Sequence, residues 1–254
     1  MRYLRLTLAY DGADFYGWQF QTGRRTVQTT FETTLQKIIG VYTRVQGSSR
    51  TDRGVHALGQ VVSFATDTRL SNNELRKALN AELPFDIVVK EIVDAPQGFN
   101  AIRDSVRKCY RYVLHDSRLR DPIGRRYCWH IPRVLDVPAM QAGAKLLCGE
   151  HDFKALQSTG AARESSVRTV YRVAVERCNM DHGERISIEV EANGFLYNMV
   201  RNIAGTLVEV GKGNYPPSWV ADVLASRDRR KAGMAAPPEA LFLLWIKFPG
   251  DPDT

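Results

Sequence analysis

The 254-residue sequence has no apolar run near the roughly 18 residues that a membrane span needs. Its first residues, Met1-Arg2-Tyr3-Leu4-Arg5-Leu6-Thr7, alternate like a strand where a signal peptide would carry an apolar block. A cytoplasmic protein with no membrane partner is therefore expected. Cysteine is scarce: Cys109, Cys128, Cys148 and Cys178 stand 19, 20 and 30 residues apart, with no C-x-x-C pair. The five histidines, His56, His115, His130, His151 and His182, stand singly, without ligand spacing. Together these absences argue against a zinc site and suit buried thiols in a reducing compartment. Low-complexity segments are missing as well, and Pro216-Pro217 and Pro237-Pro238 read as connectors.

What is present is ordinary in bulk. The chain is 44% hydrophobic and 25% charged, close to globular averages, and its length fits one large domain or two intimate ones. With 35 Lys+Arg against 28 Asp+Glu the formal charge is +7. Charge alone suits a nucleic-acid binder and a plain soluble enzyme equally, because net charge speaks to partners and not to fold. Of these residues 14 basic and 11 acidic ones precede Lys108, so the excess is +3 before it and +4 from there on. The basicity is spread over both halves and is not a tail.

Periodicity orders the chain. Tyr3 to Tyr10 alternates as a half-buried strand, Gly12 to Arg25 forms a long loop rich in glycine and aromatics, and Thr26 to Ile39 carries a helical apolar stripe that Gly40 ends. Strands are predicted at Thr43 to Gln46, Gln60 to Ala65 and Ile87 to Val93, with a short helix opened by the capping-box spacing Ser71-Asn72-Asn73-Glu74. The second half repeats the mixture. Strands are predicted at Lys108 to Leu114, Tyr127 to Ile131, Val170 to Arg177, Arg185 to Val190 and Ala240 to Phe248. Helices are predicted at Val137 to Leu147, Leu196 to Val210 with Gly211 as its stop, and Trp219 to Leu224.

The segment Gly47 to His56 gathers small residues, two arginines, an aspartate and a histidine between two strands, which is where loops display reactive groups. By itself Asp52-Arg53-Gly54 can be a plain turn, with Gly54 at positive φ. Flanking Arg50 and Arg53 would hold Asp52 ionised, and an ionised carboxylate can act as nucleophile or base.

The run Ser49-Arg50-Thr51-Asp52-Arg53-Gly54-Val55-His56-Ala57-Leu58-Gly59-Gln60-Val61-Val62 resembles the G-R-T-D-x-G-V-H-A-x-G-Q-V signature of the tRNA pseudouridine synthase A family. Tyr10-Asp11-Gly12, Tyr16-Gly17-Trp18-Gln19 and Arg25-Thr26-Val27-Gln28 are similar to further elements of that family. So are Lys108-Cys109-Tyr110-Arg111-Tyr112, His151-Asp152-Phe153 and the run Asn193 to Ile203, in the same order and over nearly the whole chain. The sequence departs from the pattern at Ser49 (usually Gly), Arg53 (usually Ala), Tyr197-Asn198 (often His-His) and Ala240-Leu241-Phe242.

The resemblance implies an α+β fold of two similar halves, 1–105 and 106–254, each a mixed or antiparallel sheet with helices on one side, and an active cleft between them. It implies a cofactor-free isomerase that converts uridine to pseudouridine at positions 38, 39 and 40 in the anticodon arm of tRNA, working as a homodimer. Asp52 matches the nucleophile, Tyr110 the tyrosine that stacks on uracil and serves as a candidate acceptor of the C5 proton, Arg201 the arginine that ion-pairs with the nucleophile, and Arg50 the arginine that helps displace the base. Arg24 and Arg25 are candidate phosphate contacts, as is the run Arg227, Arg229, Arg230, Lys231, although basic runs are commonly solvated faces. His56 reads as structural. On a helical wheel Arg201 lies with Asn198, Asn202 and Gly205 opposite the apolar stripe. Two other classes remain open: a noncatalytic RNA-binding protein or chaperone, and a carboxylate-dependent hydrolase, against which the missing second carboxylate counts.

Overall fold

The computed structural model describes residues 1–160, 165–181 and 183–252, so His182 lies outside the described residues. The chain divides into two compact units, Met1–Val106 with Phe242–Thr254, and Arg107–Leu241.

The first unit is built on β1 (Arg2–Tyr10), whose alternation buries Leu4, Leu6 and Leu8 completely on one face. The loop after β1 leads to α1 (Val27–Ile39). Thr26 caps its first turn by accepting from the Thr29 N–H, and Gly40 ends it in the left-handed conformation at φ 79°. A two-residue strand β2 (Gln46–Gly47), the long β3 (His56–Thr66), α2 (Asn72–Glu82) and β4 (Ile87–Ala95) follow. At Ser71 both hydrogen bonds of the predicted capping box are present. β1 pairs antiparallel with β3 on one side and β4 on the other, and β2 adds to β3. The terminal strand, Leu241–Lys247, joins β3 in parallel through Phe242↔His56 and Leu243↔Ala57. α2 packs on β4 and α1 on α2. Phe31, Leu35, Leu75 and Leu79 of these helices are fully buried.

The second unit opens with β5 (Arg107–Asp116) and β6 (Trp129–Ile131), a parallel addition to the end of β5. Then come α3 (Val137–Lys145), β7 (Gly149–Asp152), β8 (Val167–Met180) and β9 (Gly183–Ala192). Its sheet runs β5-β9-β8-β7, antiparallel throughout this path. α4 (Met199–Gly211) and α5 (Trp219–Ser226) complete it. α4 is buried almost all round, which marks a central helix; α3 packs on it and on β8.

Each unit thus holds a mixed sheet of four strands plus one short addition, with helices packed on it: an α+β protein. Three features differ from the expectation. The final strand groups from Phe242 on with the first unit, because its partner is β3, so the second unit is not a continuous stretch to the C-terminus. The strand predicted at Thr43 to Gln46 shrinks to Gln46–Gly47. Buried Glu32 of α1 draws that segment inward, accepting from the Val45 N–H at 3.0 Å and the Tyr42 hydroxyl at 3.0 Å. Gly211 does not stop α4 but is its last residue; a Cβ there would lie 2.6 Å from Met140 Sδ, so the glycine admits α3 and not a turn.

Candidate active site

In the first unit, the loop before β3 is held from three directions. Gln60, fully buried on β3, reaches back to Ser49: its Oε1 accepts from the Ser49 N–H at 3.2 Å, and its Nε2 donates to the Ser49 carbonyl. Buried Thr51 shares a 2.7 Å hydrogen bond with the Tyr10 hydroxyl, and its carbonyl accepts from the Trp18 N–H at 3.0 Å. The Asp52 carbonyl accepts from the Val55 N–H at 3.1 Å across a turn in which Gly54 has φ 80°. Asp52 itself is half-buried and opens this turn, with Arg53 and Gly54 at its tip.

The glycine- and aromatic-rich loop supplies the third support. Gly17, at φ 82°, lies so close that a Cβ would stand 2.6 Å from the Thr51 carbonyl oxygen and 3.1 Å from the Asp52 carbonyl carbon. Glycine is therefore required there both by its backbone conformation and by the approach. Gly12 is pressed against the Val55 carbonyl in the same way, and the Trp18 indole covers Gly47. The position of the Asp52 backbone is thus set mainly by main-chain contacts.

His56 is buried, with Nδ1 accepting from the Gly12 N–H at 3.1 Å and lying 3.0 Å from Asp11 Oδ1, and its ring stacks 4.7 Å from Phe242. Its place is in the scaffold. Arg50 is exposed. Arg24 is exposed and lies over the Tyr16 ring, 4.5 Å from its centroid. Arg25, expected as a phosphate contact, is engaged otherwise: it grips Asp86 through two hydrogen bonds of 2.7 and 2.9 Å and covers the buried Phe15 ring at 3.9 Å.

In the second unit, Tyr110 sits on β5 opposite Val190, 5% exposed, its ring edge-on to Phe195 at 5.1 Å. Two residues on, Tyr112 donates its hydroxyl to the Pro237 carbonyl at 2.8 Å, and burial raises its pKa. Burial also pushes the Cys109 thiol up to about 12, so this neighbour of Tyr110 stays protonated at neutral pH and is no nucleophile.

Arg201 lies in the first turn of α4, after Asn198, which holds a left-handed φ of 57°. Its Nε donates to the Ala236 carbonyl at 2.7 Å and its Nη1 to Asn198 Oδ1 at 2.9 Å, which fixes the plane of the guanidinium. The polar face that Arg201 shares with Asn202 and Gly205 is covered by the chain from Arg229 to Ala236. Asn202 is fully buried, donates to the Leu156 carbonyl at 2.8 Å and accepts from Arg229 at 2.8 Å. A Cβ on Gly205 would overlap the Met234 carbonyl oxygen.

Three cations of the basic run that follows α5 have partners within the fold. Arg229 donates to Asn202 and to the Gly233 carbonyl, Arg230 pairs with Asp228 at 2.7 Å, and Arg227 with Asp152 at 3.0 Å. Among the described residues no group of three or more His, Cys, Asp or Glu is placed to hold a metal ion, and no helix is long and apolar enough to cross a membrane.

The family model described as tRNA pseudouridine synthase matches residues 7–103 and 144–249, which span both units. The chain belongs to the tRNA pseudouridine synthase family. It is similar to proteins named tRNA pseudouridine synthase A. One from Thermoanaerobacter sp. (strain X514) is 44% identical over 97% of this chain and 99% of its own. Others are from Ruminiclostridium cellulolyticum, 44% identical over 98% and 100%, and Geotalea daltonii, 40% identical over 97% and 99%.

Proposed function

We propose that this protein is an isomerase that converts uridine to pseudouridine in tRNA, at positions 38, 39 and 40 of the anticodon arm. Asp52 is its nucleophile, and Tyr110 and Arg201 complete the catalytic set. The reaction breaks the N1–C1′ glycosidic bond and forms a C5–C1′ bond; the C5 proton leaves and N1 gains one. Atoms balance without oxidant, reductant or water, so the chemistry asks only for a group that opens the bond, a surface that holds the detached uracil while it turns, and charge to steady the intermediate. A carboxylate meets the first need. The aromatic ring of Tyr110 meets the second, with its hydroxyl taking the C5 proton as it leaves, and the oriented guanidinium of Arg201 meets the third. Arg50 and Arg24 serve as cations for the phosphates around a displaced base, whose extrusion costs a few kcal/mol.

The observation that carries this reading is the fixed backbone of the Asp52 turn within a sequence that matches the family along its length. A catalytic group held by main-chain contacts keeps its geometry when the substrate arrives, which is the condition for an oriented attack. A cytoplasmic homodimer, as the resemblance implies, belongs to the same reading; light scattering of the purified protein gives its mass.

The test is tritium release from tRNA labelled at uridine C5. Wild-type protein releases tritium and leaves pseudouridine, whereas free uracil in the supernatant would indicate a hydrolase instead. Tyr110→Phe keeps the ring and loses the hydroxyl: tRNA binding persists while product formation slows by about 100-fold, within the range for a lost proton-transfer group. An unchanged rate would reduce Tyr110 to a stacking surface.

A further inference from the structure

Two cations from separate segments reach one aromatic ring beside Asp52. The guanidinium carbon of Arg53 lies 4.4 Å from the centroid of Tyr16 and that of Arg24 4.5 Å, with Arg24 Nη1 also 3.2 Å from the Tyr16 hydroxyl. Both arginines are exposed, and Tyr16 is half-buried. Among the described residues neither guanidinium is paired with a carboxylate, in contrast to Arg25 on Asp86. The ring is held close to the reactive turn. The Tyr16 N–H donates to the Arg25 carbonyl at 2.8 Å, and the next residue, Gly17, is in contact with the backbone of Thr51, Asp52 and Arg53.

A tyrosine face attracts a cation through its quadrupole, by about 0.5–1 kcal/mol at exposed sites. Stacking itself uses none of a guanidinium's N–H donors; Arg24 gives one to the Tyr16 hydroxyl. A pair of such cations repels itself until an anion arrives, and planar guanidinium groups match the tetrahedral oxygens of a phosphate. We propose that Arg24, Tyr16 and Arg53 form a binding site for one backbone phosphodiester of the RNA substrate, next to the nucleotide that Asp52 attacks, with Arg53 as its principal ligand. The site rests on the reading of this protein as an RNA-modifying enzyme. It reads no base, because phosphate contacts position the nucleic acid and carry no sequence information directly.

The experiment measures tRNA affinity against salt, together with steady-state tritium release. Arg53→Ala lowers the slope of log affinity against log salt by about 1, as loss of one phosphate contact requires. It raises KM by about tenfold at low salt, the size of a charge-assisted hydrogen bond, with much less change in kcat. Arg53→Lys restores the slope but not the full affinity, since the ammonium keeps the charge without the planar fork. Tyr16→Leu, which removes the ring that both cations contact, shifts KM in the same direction. An Arg53→Ala variant with wild-type slope and KM overturns the proposal, as does one that loses kcat alone, because the arginine would then act on Asp52. If the wild type releases no tritium yet Arg53→Ala still loses one unit of slope, the isomerase reading fails and the phosphate site stands.

Discussion

The turn that carries Asp52 and the helix that carries Arg201 are both rigid, but for different reasons. The turn is bounded by main-chain contacts from nearby segments: Gly17 and Gly12 approach its backbone, and Trp18 and Phe15 bond to it. The helix is fixed by side chains and by a distant stretch of chain. Asn202, Thr206 and Arg229 knit α4 to the segment from Gly233 to Ala236, with a 3.1 Å bond from the Gly233 N–H to Thr206 Oγ1 and another from the Ala236 N–H to the Arg201 carbonyl. The two regions are therefore vulnerable at different contacts. Neither region tolerates an added atom at its glycine contacts, but the helix depends in addition on a polar network that must be satisfied as a whole.

Substitutions separate the two cases. Gly17→Ala forces a Cβ against the Thr51 carbonyl at a left-handed φ, so the Asp52 turn must shift. A displacement near 1 Å costs about 100-fold in rate, so kcat falls by that factor at temperatures where the variant is fully folded, and the strain lowers the melting temperature as well. A wild-type rate would show that the main-chain contacts do not position the turn. Gly205→Ala presses on the Met234 carbonyl and acts in the opposite sense. Overpacking destabilises by about 1–3 kcal/mol, read by urea denaturation, with activity at low temperature largely kept. Loss of activity at unchanged stability would mean that the 229–236 segment serves the chemistry directly.

The smallest effect concerns acid. In the second unit Asp116 is 3% exposed and grips Arg177 through bonds of 2.7 and 2.9 Å while accepting from the Leu135 N–H at 3.0 Å. Burial opposes its charge, but these partners outweigh burial and hold the carboxyl below its ordinary value. Its pKa is therefore lower folded than unfolded, and its contribution is complete above the ordinary value of about 3.9 and fades as pH falls through the folded one. Asp116→Asn should flatten the acid limb of stability below about pH 4, measured by thermal melts across pH. An unaltered acid limb would contradict the assignment.

The same contrast explains what could be read from the sequence. Contiguous signals were legible: the alternation of β1, the Thr26 and Gly40 ends of α1, the Ser71 capping box, and the run from Ser49 to Val62 that gave the family. Signals that depend on a remote partner were not. Gly205 and Asn202 looked like an open polar face because their cover, residues 229–236, lies far along the chain. Arg25 and Arg229 looked like free cations because Asp86 and Asn202 lie 61 and 27 residues away. The terminal strand looked like part of the second half because nothing local shows that β3 is its partner. Arg53 stood out as a cation flanking Asp52 and as a departure from the family pattern, whereas its ring partner Tyr16 became visible only in three dimensions.

The central claim is that Asp52 is the group that opens the glycosidic bond. Tritium release from C5-labelled tRNA by Asp52→Asn, beside a melting curve and a tRNA-binding isotherm for the same variant, tests it most directly. The expected outcome is an unchanged fold, retained binding and a rate at least about 1000-fold below wild type, as for loss of a nucleophile. A folded, binding-competent Asp52→Asn that releases tritium within tenfold of wild type would contradict it.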